Sequence, residues 1–146
     1  MKKLIISLLC FIAISPAMMA GSDKPIVFTQ LPQQSQQFIN KYFADNFIAL
    51  IKKDGAFFYA SYDIIFTNGN KVEFDRKGNW IDVECKHAQI PMGIIPEQIR
   101  NYLSRSYPNI KIDKIEKKTR GRYEIELAND IELIFDAKYN LIGVDY

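Results

Sequence analysis

Apolar and polar positions alternate with a period of two through two long segments of this chain, and the two segments match each other. Tyr62 to Glu84, YDIIFTNGNKVEFDRKGNWIDVE, lies without a gap over Tyr123 to Asp145, YEIELANDIELIFDAKYNLIGVD, at an offset of 61. Nine of the 23 pairs are identical, among them Tyr62/Tyr123, Phe74/Phe135, Asp75/Asp136 and Asn79/Asn140, where ordinary composition gives roughly one or two. The period is that of strands, so the match identifies a duplicated structural unit. A residue kept in both copies serves the fold; one present in a single copy is free to serve function.

Upstream of each segment the period changes to that of a helix. Leu31-Pro32 and Ile95-Pro96 match at an offset of 64 and place proline in a first turn, where its missing N–H costs nothing. Phe38, Ile39, Tyr42 and Phe43 then share one helical face, as do Ile99, Tyr102, Leu103 and Tyr107. Both helices are expected to end near Asp45-Asn46 and Pro108-Asn109. Four strands follow each helix: about 47–53, 57–67, 71–75 and 80–84, then about 110–117, 122–128, 131–136 and 141–145. Asn68-Gly69 is a two-residue hairpin signal, repeated by Asn129-Asp130. Connections this short make the strands antiparallel neighbours. The predicted fold is α+β: two tandem α-β-β-β-β repeats, about 31–84 and 95–146, joined by a linker over 85–94.

Alternation also assigns faces. Tyr62, Ile64, Phe66, Val72, Phe74, Ile81 and Val83, with Tyr123, Ile125, Leu127, Leu133, Phe135, Ile142 and Val144, form the predicted core face. The opposite parity is mixed, as expected of a sheet with one side in water. On it Tyr59, Ile65, Trp80, Ile134 and Leu141 compose a candidate apolar patch, with Asp63, Glu124 and Glu126 as its polar rim. Two roles are open to these five: anchors for a partner, or cross-strand pairs that contribute only stability. Trp80, the single Trp, is the leading anchor.

The first 20 residues alter the accounting. Lys2 and Lys3, the apolar run Leu4 to Ile14 and the small-residue exit SPAMMA read as a secretory signal, too short to span a membrane; Cys10 is one of its apolar residues. Residues 21–146 then form one domain, exported to the periplasm or beyond the cell. Without Lys2 and Lys3 the 19 basic residues become 17, against 17 acidic. A neutral chain argues against sequence-independent nucleic-acid binding. The basic cluster Lys114, Lys117, Lys118, Arg120 and Arg122 reads as a solvated hairpin. Cys85 alone remains after cleavage, so the exported chain has no internal disulfide.

Catalytic patterns are sparse. Asp75 and Asp136 precede equivalent turns, where an Asp side chain bonds nearby backbone N–H groups. Cys85 and His87, the single His, form a C-x-H far short of a zinc set; as a nucleophile pair they need a third, orienting group and a lowered thiol pKa. No G-x-S-x-G, P-loop or dinucleotide fingerprint occurs. No catalytic residue, metal ligand set or cofactor is assigned.

IPEQIRNYLSRSYPNIKI followed by YEIELANDIELIFDAKYNLIGVD, with the earlier FDRKGNWIDVE, resembles the bacterial PepSY-like proteins described as beta-lactamase-inhibitor-like. The resemblance spans residues 21–146 in two copies; the second copy departs from it with Tyr139 and Leu141 in place of Gly78 and Trp80. It implies two layers, helices on one side of a curved antiparallel sheet, in a periplasmic or exported protein. In the inhibitor that lends the family its name, the exposed sheet face and its loops grip an enzyme, and PepSY domains proper are associated with restraint of peptidases. The expectation is a non-enzymatic binding module for a protein or peptide, acting through the open sheet face. The alternatives are a small-molecule or ion binder in the cell envelope, an enzyme using Cys85 and His87, and a homodimer that buries the patch against itself.

Overall fold

The computed structural model describes residues 23–55 and 59–146; the leader read at residues 1–20 lies outside them. The elements are β1 (Lys24–Pro25), α1 (Gln33–Tyr42), β2 (Ile48–Asp54), β3 (Ser61–Phe66), β4 (Lys71–Asp75), β5 (Trp80–Glu84), α2 (Glu97–Ser106), β6 (Ile112–Lys117), β7 (Tyr123–Leu127), β8 (Glu132–Phe135) and β9 (Leu141–Asp145). The nine strands make one sheet in chain order, β1 to β9, and every neighbouring pair is antiparallel. The two halves join at β5 and β6 through three paired positions: Asp82 with Glu116, Val83 with Ile115, and Glu84 with Lys114.

Pro32 and Pro96 stand at the N-caps of the helices, with φ of −53° and −52°. The helices stop at Phe43 and Tyr107, each of whose N–H still bonds the carbonyl four residues back, so both end one to two residues before the predicted turns. Ring contacts tie them to the sheet: Phe38 lies edge-on to Phe74 at 5.5 Å, Phe43 stacks on Phe66 at 5.1 Å, and Tyr102 lies edge-on to Phe135 at 5.6 Å. Ile64, Phe66, Val72, Phe74 and Val83, and their counterparts Ile125, Leu127, Leu133 and Phe135, are buried as the alternation predicts. Each buried aromatic or aliphatic side chain contributes roughly 1.5–3 kcal/mol through loss of apolar surface from water.

The linker is less featureless than its sequence suggests. At the offset of 64, Ile26, Leu31 and Pro32 fall on Ile90, Ile95 and Pro96. Each segment makes a short 3-10 turn before its helix, Phe28–Gln30 and Met92–Ile94. Ile90 is fully buried and Ile26 packs against the same core. The arm before α1 and the segment before α2 therefore play corresponding parts, and β1 adds a ninth strand to the eight expected.

Within the two matched segments the alternation fails at one place in each; the strands before them, β2 and β6, carry shifts of their own between Ile48 and Leu50 and between Ile112 and Lys114. The β4–β5 register shifts between Glu73 and Phe74, so Phe74 pairs with Trp80 while Glu73 pairs with Asp82. The β8–β9 register shifts identically, with Phe135 paired to Leu141 and Ile134 to Gly143. A bulge of this kind inserts one residue, Ile81 or Ile142, and reverses the parity on one side of it. Trp80 and Leu141 consequently turn to the helix side and pack against the core. Ile142, placed in the core by strict alternation, is 52% exposed.

Candidate binding face

The side of the sheet away from the core is organised as two rows of side chains that cross the strands. One row runs Lys52, Asp63, Glu73, Asp82, Glu116, Glu124, Ile134 and Gly143 from β2 to β9. The adjacent row runs Leu50, Ile65, Lys71, Glu84, Lys114, Glu126, Glu132 and Asp145. Five consecutive carboxylates in the first row stand at strand spacing of about 4.8 Å, where like charges directly opposite one another repel.

Lysines between them offset that repulsion. Lys71 Nζ lies 3.5 Å from Asp63 and 4.0 Å from Glu73. Lys114 Nζ lies 3.0 Å from Asp82 and 3.3 Å from Glu116. Lys118 Nζ lies 2.8 Å from Glu116 and 2.9 Å from Glu124. Burial pushes the carboxyls of Glu73 and Asp82 up, and neighbouring carboxylates add to the rise. Burial also acts to raise Glu116, but Lys118 and Lys114 outweigh it and hold that carboxyl below its usual range. Lys114 loses hydration, yet its bonds to Asp82 and Glu116 hold its ammonium well above the ordinary value. Half-exposed pairs of this sort contribute at most about 1 kcal/mol each.

The second row is neutralised unequally. Glu84 stands between Lys71 and Lys114 and pairs with Lys86 at 3.0 Å, whereas Glu126, beside Lys114, is followed by Glu132 and Asp145. Among the described residues no lysine or arginine makes an ion pair with any of these three. Partial burial raises the Glu132 carboxyl, and the charges of Glu124 and Asp145 raise it further. Glu126 and Glu132, with Lys114, Glu116 and Glu124, line a depression of about 40 Å³. Toward the other end of the sheet a broader groove of about 410 Å³ is lined by Tyr59, Ser61, Asp75, Arg76, Lys77, Asn79 and Ile81.

The expected apolar patch does not assemble. Ile65 lies beside Leu50 near one end of its row, and Ile134 lies over Gly143 near the other end of the adjacent row, with four strands between them. Tyr59, 90% exposed, stands apart at the broad groove. Trp80 and Leu141 are on the helix side. Trp80 has ring contacts to Phe38 at 6.3 Å and Tyr123 at 6.4 Å, and Lys117 Nζ stands 3.8 Å from its ring centroid. Burial pushes the Lys117 ammonium down, and the ring face offers it a partial substitute for water. Asp63, Glu124 and Glu126, expected as a rim, lie instead within the charged rows. Sequence reasoning missed Lys71, Lys114 and Lys118 as the cations that stitch those rows; the signal available was their interleaving with Asp and Glu at strand spacing.

Asp75 and Asp136 bond the backbone of their own turns. Asp75 Oδ1 accepts from the backbone N–H groups of Lys77 and Asn79 at 2.8 and 2.9 Å, and Asp136 Oδ1 accepts from those of Lys138 and Asn140 at the same distances. Both carboxyls are held below their usual range: Asp75 against the opposing effect of burial, by Asn79 and backbone bonds, and Asp136 by its bonds from Asn140. Cys85 is fully buried, and burial pushes its thiol up to about 11. It is a neutral thiol at physiological pH, not an activated nucleophile. Among the described residues no group of three or more His, Cys, Asp and Glu side chains is arranged to hold a metal ion, and no helix is long and apolar enough to cross a membrane.

Comparison with known proteins bears on this arrangement. A family model described as "Putative beta-lactamase-inhibitor-like, PepSY-like" matches residues 60–143. A crystal structure from Bacteroides thetaiotaomicron, of a protein described as a "putative calcium-regulated periplasmic protein", is 52% identical, with a TM-score of 0.81 over 85% of this chain and 97% of that one. Two periplasmic proteins from Bacteroides vulgatus are also similar. One is 44% identical with a TM-score of 0.82, over 87% of this chain and 99% of its own. The other, of unknown function, is 31% identical with a TM-score of 0.78, over 85% and 99%. No curated protein matches the chain.

Proposed function

We propose that this chain, which belongs to the PepSY-like, beta-lactamase-inhibitor-like family, is an exported, non-enzymatic module that binds a protein or peptide through the open side of its sheet. The family and the periplasmic relatives support the export and the inhibitor-like character. Two tandem copies in a single domain, with both helices on one side, leave the opposite side available. The observation that carries the reading is the pair of charged rows. Asp63, Glu124 and Glu126 stand in them as half-exposed or exposed carboxylates, and such groups set orientation, specificity and on-rate for a partner of complementary charge. Ile65 with Leu50, and Ile134, supply apolar contacts at the ends of the rows.

Affinity capture from the cell-envelope fraction tests it, with the chain from residue 21 onward as bait beside Glu124→Lys/Glu126→Lys. The expected result is a protein retained by the first and lost from the second, while both baits keep the same thermal midpoint within a few degrees. Equal retention by the two baits removes the face from consideration.

A second reading, an ion binder, draws only on the relative described as calcium-regulated, since the carboxylates that line the depression at Glu116, Glu124, Glu126 and Glu132 are not arranged as a metal-holding group. Lys114 and Lys118 already engage Glu116 and Glu124 there, and their positive charge opposes a cation. Calcium titration by calorimetry separates the readings: saturable heat that disappears in Glu126→Gln/Glu132→Gln favours the ion.

A further inference from the structure

We propose that β9 accepts a tenth strand, an extended segment of a partner protein in which basic and apolar residues alternate. The inference rests on the protein- or peptide-binding reading above and names where the segment enters and what it carries.

The two edges of the sheet are finished differently. At one, β1 is two residues long, carries Lys24 and ends on Pro25, which has no N–H to offer. Shortness, lysine and proline are the features that keep an edge from pairing. At the other, β9 runs for five residues, LIGVD, with neither lysine nor proline, and among the described residues it pairs on the β8 side alone. Every second residue of such a strand directs its N–H and C=O outward.

Side chains around β9 say what would fit. The row of Glu126, Glu132 and Asp145, in which among the described residues no side chain makes an ion pair, ends at this edge. The next position in the row, about 4.8 Å beyond Asp145, is where a cation would stand directly beside Asp145, as Lys114 stands in register beside Glu84. One step along the strand, Val144 is half-buried beside the core, and an apolar residue opposite it would extend that core. Gly143, two residues before Asp145 on the same face, presents no side chain of its own and is covered by Ile134. A second copy paired through its own β9 brings no cation to the row, because the only charged residue of that strand is Asp145.

Labelled short peptides of alternating Lys and Val, the Glu/Val counterpart, and a Lys/Val peptide N-methylated along one edge are the probes, offered to the full chain. Fluorescence anisotropy and amide hydrogen exchange are the readouts. The Lys/Val peptide is expected to bind and to slow exchange of the β9 amides about tenfold, while the N-methylated and Glu/Val peptides do neither. Asp145→Lys, at an exposed position, should weaken Lys/Val binding about tenfold and admit the Glu/Val peptide. Binding without protection of β9, or equal binding of the N-methylated peptide, overturns the proposal. A dimer in sedimentation that Asp145→Lys dissociates also overturns it, in favour of a second copy. Loss of envelope capture in Glu124→Lys/Glu126→Lys, with β9 unprotected by any Lys/Val peptide, keeps the face reading and removes this one.

Discussion

Ile65, Lys71 and Glu84 occupy one row in the first half of the molecule; Glu126, Glu132 and Asp145 occupy the equivalent row in the second, each 61 residues on. The backbone places them alike, and the buried positions beneath them are filled alike, with Phe74 answering Phe135 and Val72 answering Leu133. Yet one row carries an apolar residue and a balanced charge pair, while the other carries three carboxylates. Where the copies agree, the agreement maintains the fold. On the open side of the sheet they differ in charge at two of these three positions.

A second contrast lies where the β4–β5 and β8–β9 turns meet their surroundings. Gly78 has φ of +90°, and an added Cβ would come within 2.7 Å of Pro32 Cβ and 2.9 Å of Ser35 Oγ. Ser35 is itself fully buried and donates to the Gly78 carbonyl at 3.3 Å. In the second copy Tyr139 adopts φ of +64° and rests against the Tyr123 ring at 5.5 Å, and the helix position that answers Ser35 is Ile99. The first half closes its turn onto the helix with small residues, the second with large ones.

The strongest test of this comparison removes the agreement. Phe74→Ala and Phe135→Ala, at two fully buried rings, should each cost about 3–5 kcal/mol, measured by urea denaturation. One shared transition in both variants marks a single cooperative sheet; a split transition in either would show that the halves melt separately. Next, Gly78→Ala should cost about 3 kcal/mol from positive-φ strain and collision together. Tyr139→Gly should be nearly neutral, since relief of about 1 kcal/mol of backbone strain offsets a ring contact of similar size. Equal effects at the two turns would contradict the close approach of Ser35.

Smaller effects follow for the carboxylates. Asp75→Ala should cost about 1–2 kcal/mol through lost turn hydrogen bonds, and Asp136→Ala less, since its turn is more open to water. Because both folded pKa values are depressed, the stability they supply is present above the ordinary Asp value of 3.8 and is lost as pH falls through their lower folded values. Glu73, Asp82 and Glu132 act in the opposite sense. Their folded pKa values are raised, so ionisation destabilises the fold, and protonation on mild acidification restores stability before the two turns are lost. Maximum stability is therefore expected on the acid side of neutrality, in a thermal-midpoint series against pH. Glu132→Lys should gain about 0.5 kcal/mol at neutral pH and flatten that series; Lys71→Glu, the mirror change in the first half, should lose a similar amount.

Much of the architecture was legible because alternation and duplication report the same thing independently. Phe66, Val72 and Phe74 show a core face, and Leu127, Leu133 and Phe135 repeat it. Trp80 and Leu141 were misplaced for a physical reason: a bulge adds one residue without changing local composition. Both copies carry it at the same point, so their comparison conceals it. The candidate site was half legible. Asp63, Glu124 and Glu126 were placed on the correct side, but the lysines between them belong to pairings that depend on register across strands, above all the junction of β5 with β6.

Strand order in this sheet is the same as chain order. Each strand pairs with the strand made just before it, across a short connection except at β1–β2 and β5–β6, where a helix intervenes. A chain delivered from its N-terminal end can thus build the sheet in order of emergence, one strand onto the last, without waiting for a distant segment to complete any pairing.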